Sequence, residues 1–148
     1  MTESSDRYSW GRFPRFSALA ILSCLSLAAL AADPPSFRKG MWEFTRTVEG
    51  QGAGGKPVKL TNKKCTDPSA DMKRMRELLA KQGCKASAVS SKGNTRTFSS
   101  TCQVQGVAVL SQNVMTVQSD SAYTVQVSSS GGGRSTKEIL TARRVGDC

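Results

Sequence analysis

The chain offers no imidazole: none of its 148 residues is histidine. Without one, neither a Ser–His–Asp nor a Cys–His catalytic unit can be assembled. A histidine-containing zinc site and a histidine pH switch are excluded for the same reason. Acid–base chemistry is left to carboxylates, and past the N-terminal stretch these are Asp33, Glu43, Glu49, Asp67, Asp71, Glu77, Asp120, Glu138 and Asp147. Glycosidase-type hydrolysis needs two acids that converge. Glu43 and Glu49 share the parity of one strand, yet extended chain between them spans ~20 Å. Asp67 and Asp71 suit a helix start, where carboxylates complement the macrodipole. Asp120 sits in a turn sequence. No catalytic residue, metal or cofactor is assigned.

Five cysteines are present. Cys24 falls in an N-terminal apolar run, and Cys65, Cys84, Cys102 and Cys148 remain beyond it. An even set in an exported chain reads as disulfides. The absence of any Cys-x-x-Cys pair argues against a thiolate metal site or a redox pair. Spacing bears on the connectivity. Gly93-Asn94 is a tight-turn signal between two β-prone runs. A hairpin symmetric about Gly93 sets Cys84 opposite Cys102 and Ala88 opposite Phe98. Directly opposed residues have Cα atoms ~4.5–5.5 Å apart, within disulfide reach. That pairing leaves Cys65 for Cys148. The alternative Cys65–Cys84, which would bracket the helix described below, stays open.

Lys and Arg number 21 against 11 Asp and Glu, a net charge of +10. Lys56, Lys59, Lys63 and Lys64 crowd one segment. Lys73, Arg74 and Arg76 load the next, and Arg143-Arg144 stands near the C-terminus. If they converge they form an anion-attracting patch; if they do not, they are a solvated face that keeps a small domain soluble. The partners such a patch fits are anionic envelope components: lipid headgroups, lipopolysaccharide or an acidic protein. Nucleic acid is not expected, because aromatic residues are not interleaved with the basic ones as a stacking platform requires. Trp42, Phe44, Phe98 and Tyr123 either fill the core or line an apolar ligand cavity, should the sheet curl into a barrel.

The elements that must position these residues are mainly strands. Trp42, Phe44 and Val48 alternate with Glu43, Thr45 and Thr47, the period of a half-buried strand. Arg46 falls on the apolar side and breaks the pattern. A flexible Gly-rich loop, Gly50 to Gly55, leads to a more polar strand over Lys56 to Cys65. One helix follows, from Pro68 to about Gln82, with Asp67 as N-cap. Met72, Met75, Leu78 and Leu79 form one apolar stripe on it. After the Cys84–Cys102 hairpin come runs at Val104–Val109, Val114–Gln118, Ala122–Ser128 and Thr136–Val145. Turn material separates them at Ser111–Asn113, Ser119–Ser121 and Ser129–Gly133. The pattern describes a mainly β fold: an antiparallel meander curled into a half-barrel or barrel-like sheet, with one helix between the second and third strands.

Ahead of this domain, Arg7, Arg12 and Arg15 precede an apolar run from Phe16 to Ala32 that closes on Ala29-Leu30-Ala31. A basic n-region, an apolar h-region and a small-residue exit describe a secretory signal peptide over residues 1–31. An extended spacer over 32–39 then leads to a single disulfide-bonded domain, 40–148. An uncleaved anchor is the alternative, as is a lipid on Cys24, where Ile21-Leu22-Ser23-Cys24 resembles a lipobox. The expected location is periplasmic or secreted, and the expected state a monomer that meets the membrane only through its signal segment.

Gly40-Met41-Trp42-Glu43-Phe44 resembles the Pro-Gly-x-Trp-Glu opening of domain-of-unknown-function family 3617, a group of exported bacterial proteins. The likeness continues through Lys64-Cys65-Thr66, Cys84, Gly93-Asn94-Thr95 and Cys102. It ends at Ala142-Arg143-Arg144-Val145-Gly146-Asp147-Cys148, close to that family's Arg-Arg-Ile/Val-Gly-x-Cys terminus. Lys39 stands where a proline is usual. The resemblance implies export, a four-cysteine framework and a β-rich fold, and it supplies no catalytic residue. Three readings of function follow. The first is a non-enzymatic envelope binding or structural module. The second is a small carrier holding an apolar ligand among Trp42, Phe44, Phe98 and Tyr123. The third is a hydrolase using carboxylates alone.

Overall fold

A computed structural model describes residues 34–50 and 56–148. The signal peptide expected over 1–31, its cleavage and the lipidation of Cys24 lie outside the described residues. The elements are β1 (Gly40–Gly50), β2 (Val58–Thr66), α1 (Pro68–Lys81), β3 (Lys85–Ala86), β4 (Ser90–Lys92), β5 (Thr95–Val104), β6 (Val107–Ser119), β7 (Ala122–Gly131) and β8 (Arg134–Gly146). The strands form one sheet in the order β2-β1-β8-β7-β6-β5-β3, with β4 also on β5. Every pairing is antiparallel. The sheet is curled and not closed. β5 to β8 run as a meander, and β8 then takes β1 as its neighbour, so β2 and β3 lie at opposite edges. α1 is the link between those edges.

The helix begins where its sequence says. The Asp67 carboxylate accepts from the Ser69 and Ala70 backbone N–H groups at 3.0 and 3.2 Å, with Pro68 in the first turn. This satisfies donors that a helix start otherwise leaves unpaired. Gln82 is the C-cap rather than the last helical residue. The apolar stripe divides: Met72 packs on the core, while Met75 and Leu78 are 55% and 49% exposed.

The expected turn at Ser111–Asn113 is instead the middle of β6, which runs unbroken from Val107 to Ser119. Its polar residues belong to the ladder. Ser111 faces Ser100 on one side and Ser129 on the other, with 2.8 Å between the Ser111 and Ser129 hydroxyl oxygens. The reversal comes earlier, at Gln105-Gly106, with φ of 50° and 80°. Two successive positive φ values give the turn twist that matches a tight hairpin, and glycine takes one of them without steric cost.

The hairpin before β5 keeps the anticipated register only near the cysteines, where Lys85 faces Thr101 and Ala86 faces Ser100. Beyond Ser87 it slips, and Ser90 faces Thr97. The extra residue lies on the β3–β4 side, as in a β-bulge, and Ala88 has no ladder place opposite Phe98. Cys84 is bonded to Cys102 and Cys65 to Cys148, with Cα separations of 4.3 and 5.7 Å. The second bridge ties the C-terminus to edge strand β2.

The core is small. Its buried apolar residues are Phe37, Trp42, Tyr123 and Ala142. Phe44, Met72, Met115, Val117, Val125 and Leu140 pack around them, half-buried. All the strand members of this set lie on the face of the sheet that α1 crosses, the inner face. Gly40 sits at its rim with φ +149°, and a Cβ there would lie 2.5 Å from the Gly146 carbonyl oxygen.

Candidate functional site

The inner face is organised in rows that the register defines. Asn62, Phe44, Ala142, Tyr123 and Val117 face one another in turn across β2, β1, β8, β7 and β6. One step further from α1, Leu60, Arg46, Leu140, Val125 and Met115 do the same. The row after that holds Val58, Val48, Glu138, Val127, Asn113 and Phe98.

The end of this face nearest α1 is solid. Trp42 is 0% exposed, and its indole Nε1 donates to the Arg38 carbonyl at 2.9 Å. The Phe37 ring lies edge-on to Trp42 at 5.9 Å and tilted on Tyr123 at 4.6 Å. Such offset and edge contacts are the favoured aromatic arrangements. Burial pushes the Tyr123 phenol up to about 12, with the Asp71 charge adding to it. Trp42 and Tyr123 are therefore core, and no cavity opens between them. Phe98 does not join them. It stands on β5, four strands from β1, ~19 Å away at ordinary strand spacing.

An open groove on this face lies beyond the core. Phe44, Arg46, Leu60, Asn62, Glu138 and Leu140 line this groove of about 570 Å³. Arg46 stands between Leu60 and Leu140 in the ladder. The residue that broke the sequence alternation is thus a cation set in an apolar row. Its Nη2 donates to Glu138 Oε2 at 2.5 Å, a bond that raises the guanidinium pKa further. The side chain is 53% exposed, so the guanidinium donors not used by Glu138 are open to solvent. Leu60 is 59% exposed. A second groove of about 530 Å³ lies around Leu110, Gln112, Ser128, Ser130 and Lys137, toward the opposite face. Its lining has one large apolar side chain, Leu110, among hydroxyls and charges.

Sequence reasoning named Phe44 but missed Leu60 and Leu140. The signal for them was Arg46 itself, which needs a carboxylate across the sheet; the β1–β8 pairing that supplies Glu138 joins residues too far apart in sequence to be read from spacing.

The basic residues do not form one patch. Lys63 and Arg143 flank Glu43 on the outer face. Lys64 and Arg74 both bind Asp71 beside α1. Arg144 donates to the Lys39 carbonyl at 2.9 Å and to Asp147. Lys56, Lys59, Lys73 and Arg76 are exposed, with no ion pair among the described residues. The carboxylates are largely occupied by the same pairs. Arg143 holds the Glu43 carboxyl below its ordinary range, chiefly by hydrogen bonding, and Thr66 does the same for Asp71. Among the described residues no three of His, Cys, Asp and Glu cluster as metal ligands, and no helix is long and apolar enough to cross a membrane.

The family described as "Protein of unknown function (DUF3617)" matches residues 37–148. No curated protein and no solved structure matches the chain.

Proposed function

The chain belongs to the DUF3617 family, and we propose that it is an exported, non-enzymatic binding module of the bacterial cell envelope whose ligand is an acyl chain with an anionic head. Export rests on the basic-then-apolar N-terminus of the sequence and on the two disulfides, which persist in oxidising compartments. Binding rests on a single observation: the Leu60–Arg46–Leu140 row, which α1 leaves uncovered. Phe44 and the two leucines offer apolar surface to a chain, and Arg46 offers donors to its head. Apolar walls with one well-placed polar group are what small-ligand sites commonly present. The 18 Lys and Arg against 9 Asp and Glu beyond residue 31 favour an anion over a neutral amphiphile.

Two features weigh against the other readings. An anion patch built from all the basic residues would need them on one surface, and they divide between two faces and the C-terminus. A carboxylate pair for hydrolysis would need free, converging acids, whereas Glu43, Asp71, Glu138 and Asp147 each bind cations and Asp67 caps the helix.

Isothermal titration with dodecanoate below its micelle concentration tests the reading. Saturable binding is expected, at least about tenfold weaker in Leu60→Asp, which sets a carboxylate beside Arg46 in place of apolar surface. No saturable binding, or equal binding by the variant, overturns it.

A further inference from the structure

α1 turns two different faces outward from its axis. Met72 and Leu79 point to the sheet side, Met72 against the core. Asp71, Arg74, Met75 and Leu78 are spaced i, i+3, i+4 and i+7, which places them on one other face. Asp71 locates that face in the fold. It accepts from Lys64 Nζ at 3.3 Å and from Thr66 Oγ1 at 2.5 Å, both on edge strand β2, and it binds Arg74 as well. Met75 and Leu78 are 55% and 49% exposed. Cations bracket them: Lys64 and Arg74 at one end, and Lys81, three residues past Leu78, at the other. Asp71 is already bound by two of those cations, and exposed Glu77 stands on the flank, one turn from Arg74 and Lys81.

We propose that this face of α1 docks on the surface of an anionic lipid bilayer, with Met75 and Leu78 in the headgroup boundary and Lys64, Arg74 and Lys81 over the phosphates. An apolar pair within a basic rim is the composition of an interfacial helix, and each basic residue near an anionic surface is worth about 1 kcal/mol. A second copy fits poorly, because the same cations would meet across the interface. The chain's path agrees. The apolar run Phe16–Ala32 ends just before Pro34, and Pro35 and Phe37 are tied to the first turn of α1. The Ser69 hydroxyl donates to the Pro35 carbonyl at 3.3 Å and accepts from the Phe37 N–H at 2.9 Å. The apolar segment read from the sequence therefore leads to the first turn of α1, beside Asp71 and Arg74. The proposal does not depend on a ligand in the groove.

Vesicle flotation tests it, using protein purified from the cells that export it and its N-terminus as found. Binding is expected to phosphatidylcholine vesicles containing phosphatidylglycerol, and at least about tenfold weaker to phosphatidylcholine alone. Arg74→Glu with Lys81→Glu, and separately Met75→Ser with Leu78→Ser, are each expected to lower binding about tenfold or more. Met75 and Leu78 are exposed, so in the serine variant thermal unfolding should stay near wild type and dodecanoate binding should persist. Equal binding to both vesicle types, no binding to either, or wild-type binding by the serine variant would overturn the proposal.

Discussion

Arg143 on β8 donates twice to one oxygen of Glu43 on β1, through Nε at 2.8 Å and Nη2 at 2.6 Å. Lys63 on β2 approaches the other oxygen at 3.6 Å. One half-buried carboxylate thus joins three adjacent strands at the end of the sheet where the C-terminus returns, with Lys63 and Arg143 its ladder neighbours on either side.

That relationship sets an acid limb. The Glu43 and Asp71 carboxyls are both held below their ordinary values of 4.5 and 3.8. Folded values below unfolded ones mean that the stabilisation is complete above the ordinary carboxylate range and is lost as pH falls through the folded values. The Tm is expected to be level from neutrality to about pH 5 and to fall below it. Glu43→Gln combined with Asp71→Asn should flatten that fall in a thermal scan series. An unchanged acid limb in the double variant would show that other groups carry it.

Gly40 is held by geometry. Its φ of +149° and the 2.5 Å approach of a Cβ to the Gly146 carbonyl leave no room for a side chain. Gly40→Ala should cost at least about 1–3 kcal/mol in urea unfolding. Gly83→Ala makes the comparison, because its φ is +76° but nothing lies within 4 Å of the added carbon. It should cost about 1 kcal/mol. Equal costs would mean that the contact with Gly146 is not what fixes Gly40.

Trp42 carries a large share of a small core. Trp42→Ala should cost about 3–5 kcal/mol, much of the ~5–15 kcal/mol available to a domain. Trp42→Phe keeps a ring but loses the bond to the Arg38 carbonyl, and should cost about 1–2 kcal/mol. Denaturant midpoints for the two variants check the order, and comparable losses would contradict it.

The two disulfides should differ in worth. Cys65–Cys148 spans a sequence separation of 83 and Cys84–Cys102 one of 18. Loop-closure entropy gives about 4.5 kcal/mol for the first and about 3 kcal/mol for the second. Paired Cys→Ser variants, compared by guanidinium unfolding, should show the larger loss for Cys65 and Cys148. The reverse order would mean that native contacts around the hairpin outweigh chain entropy.

Much of this architecture was legible in local sequence. The Asp67-Pro68 start of α1, the alternation at Trp42 and Phe44 and the Gly93-Asn94 turn are decided by a few neighbouring residues. The β6 strand was not, because Ser111–Asn113 is polar for a cross-strand reason: its partners Ser100 and Ser129 are polar too. The groove was hidden for a related reason. Leu60 reads as a lone apolar residue in a lysine-rich strand, and it gains meaning only when β1 sets Arg46 beside it and β8 adds Leu140. The stripe on α1 was seen as one surface. Helical spacing shows that Met75 and Leu78 lie to one side of Met72 and Leu79, but only the packing shows that Met72 meets the core while Met75 and Leu78 stay exposed.

The central claim is that the inner face beyond α1 holds an acyl chain. Mapping amide and methyl NMR shifts during a dodecanoate titration tests it most directly. The largest shifts are expected at Phe44, Arg46, Leu60 and Leu140, with Leu110 and Gln112 in the other groove unmoved. Shifts centred on Leu110 and Gln112, or none at saturating dodecanoate, would contradict it.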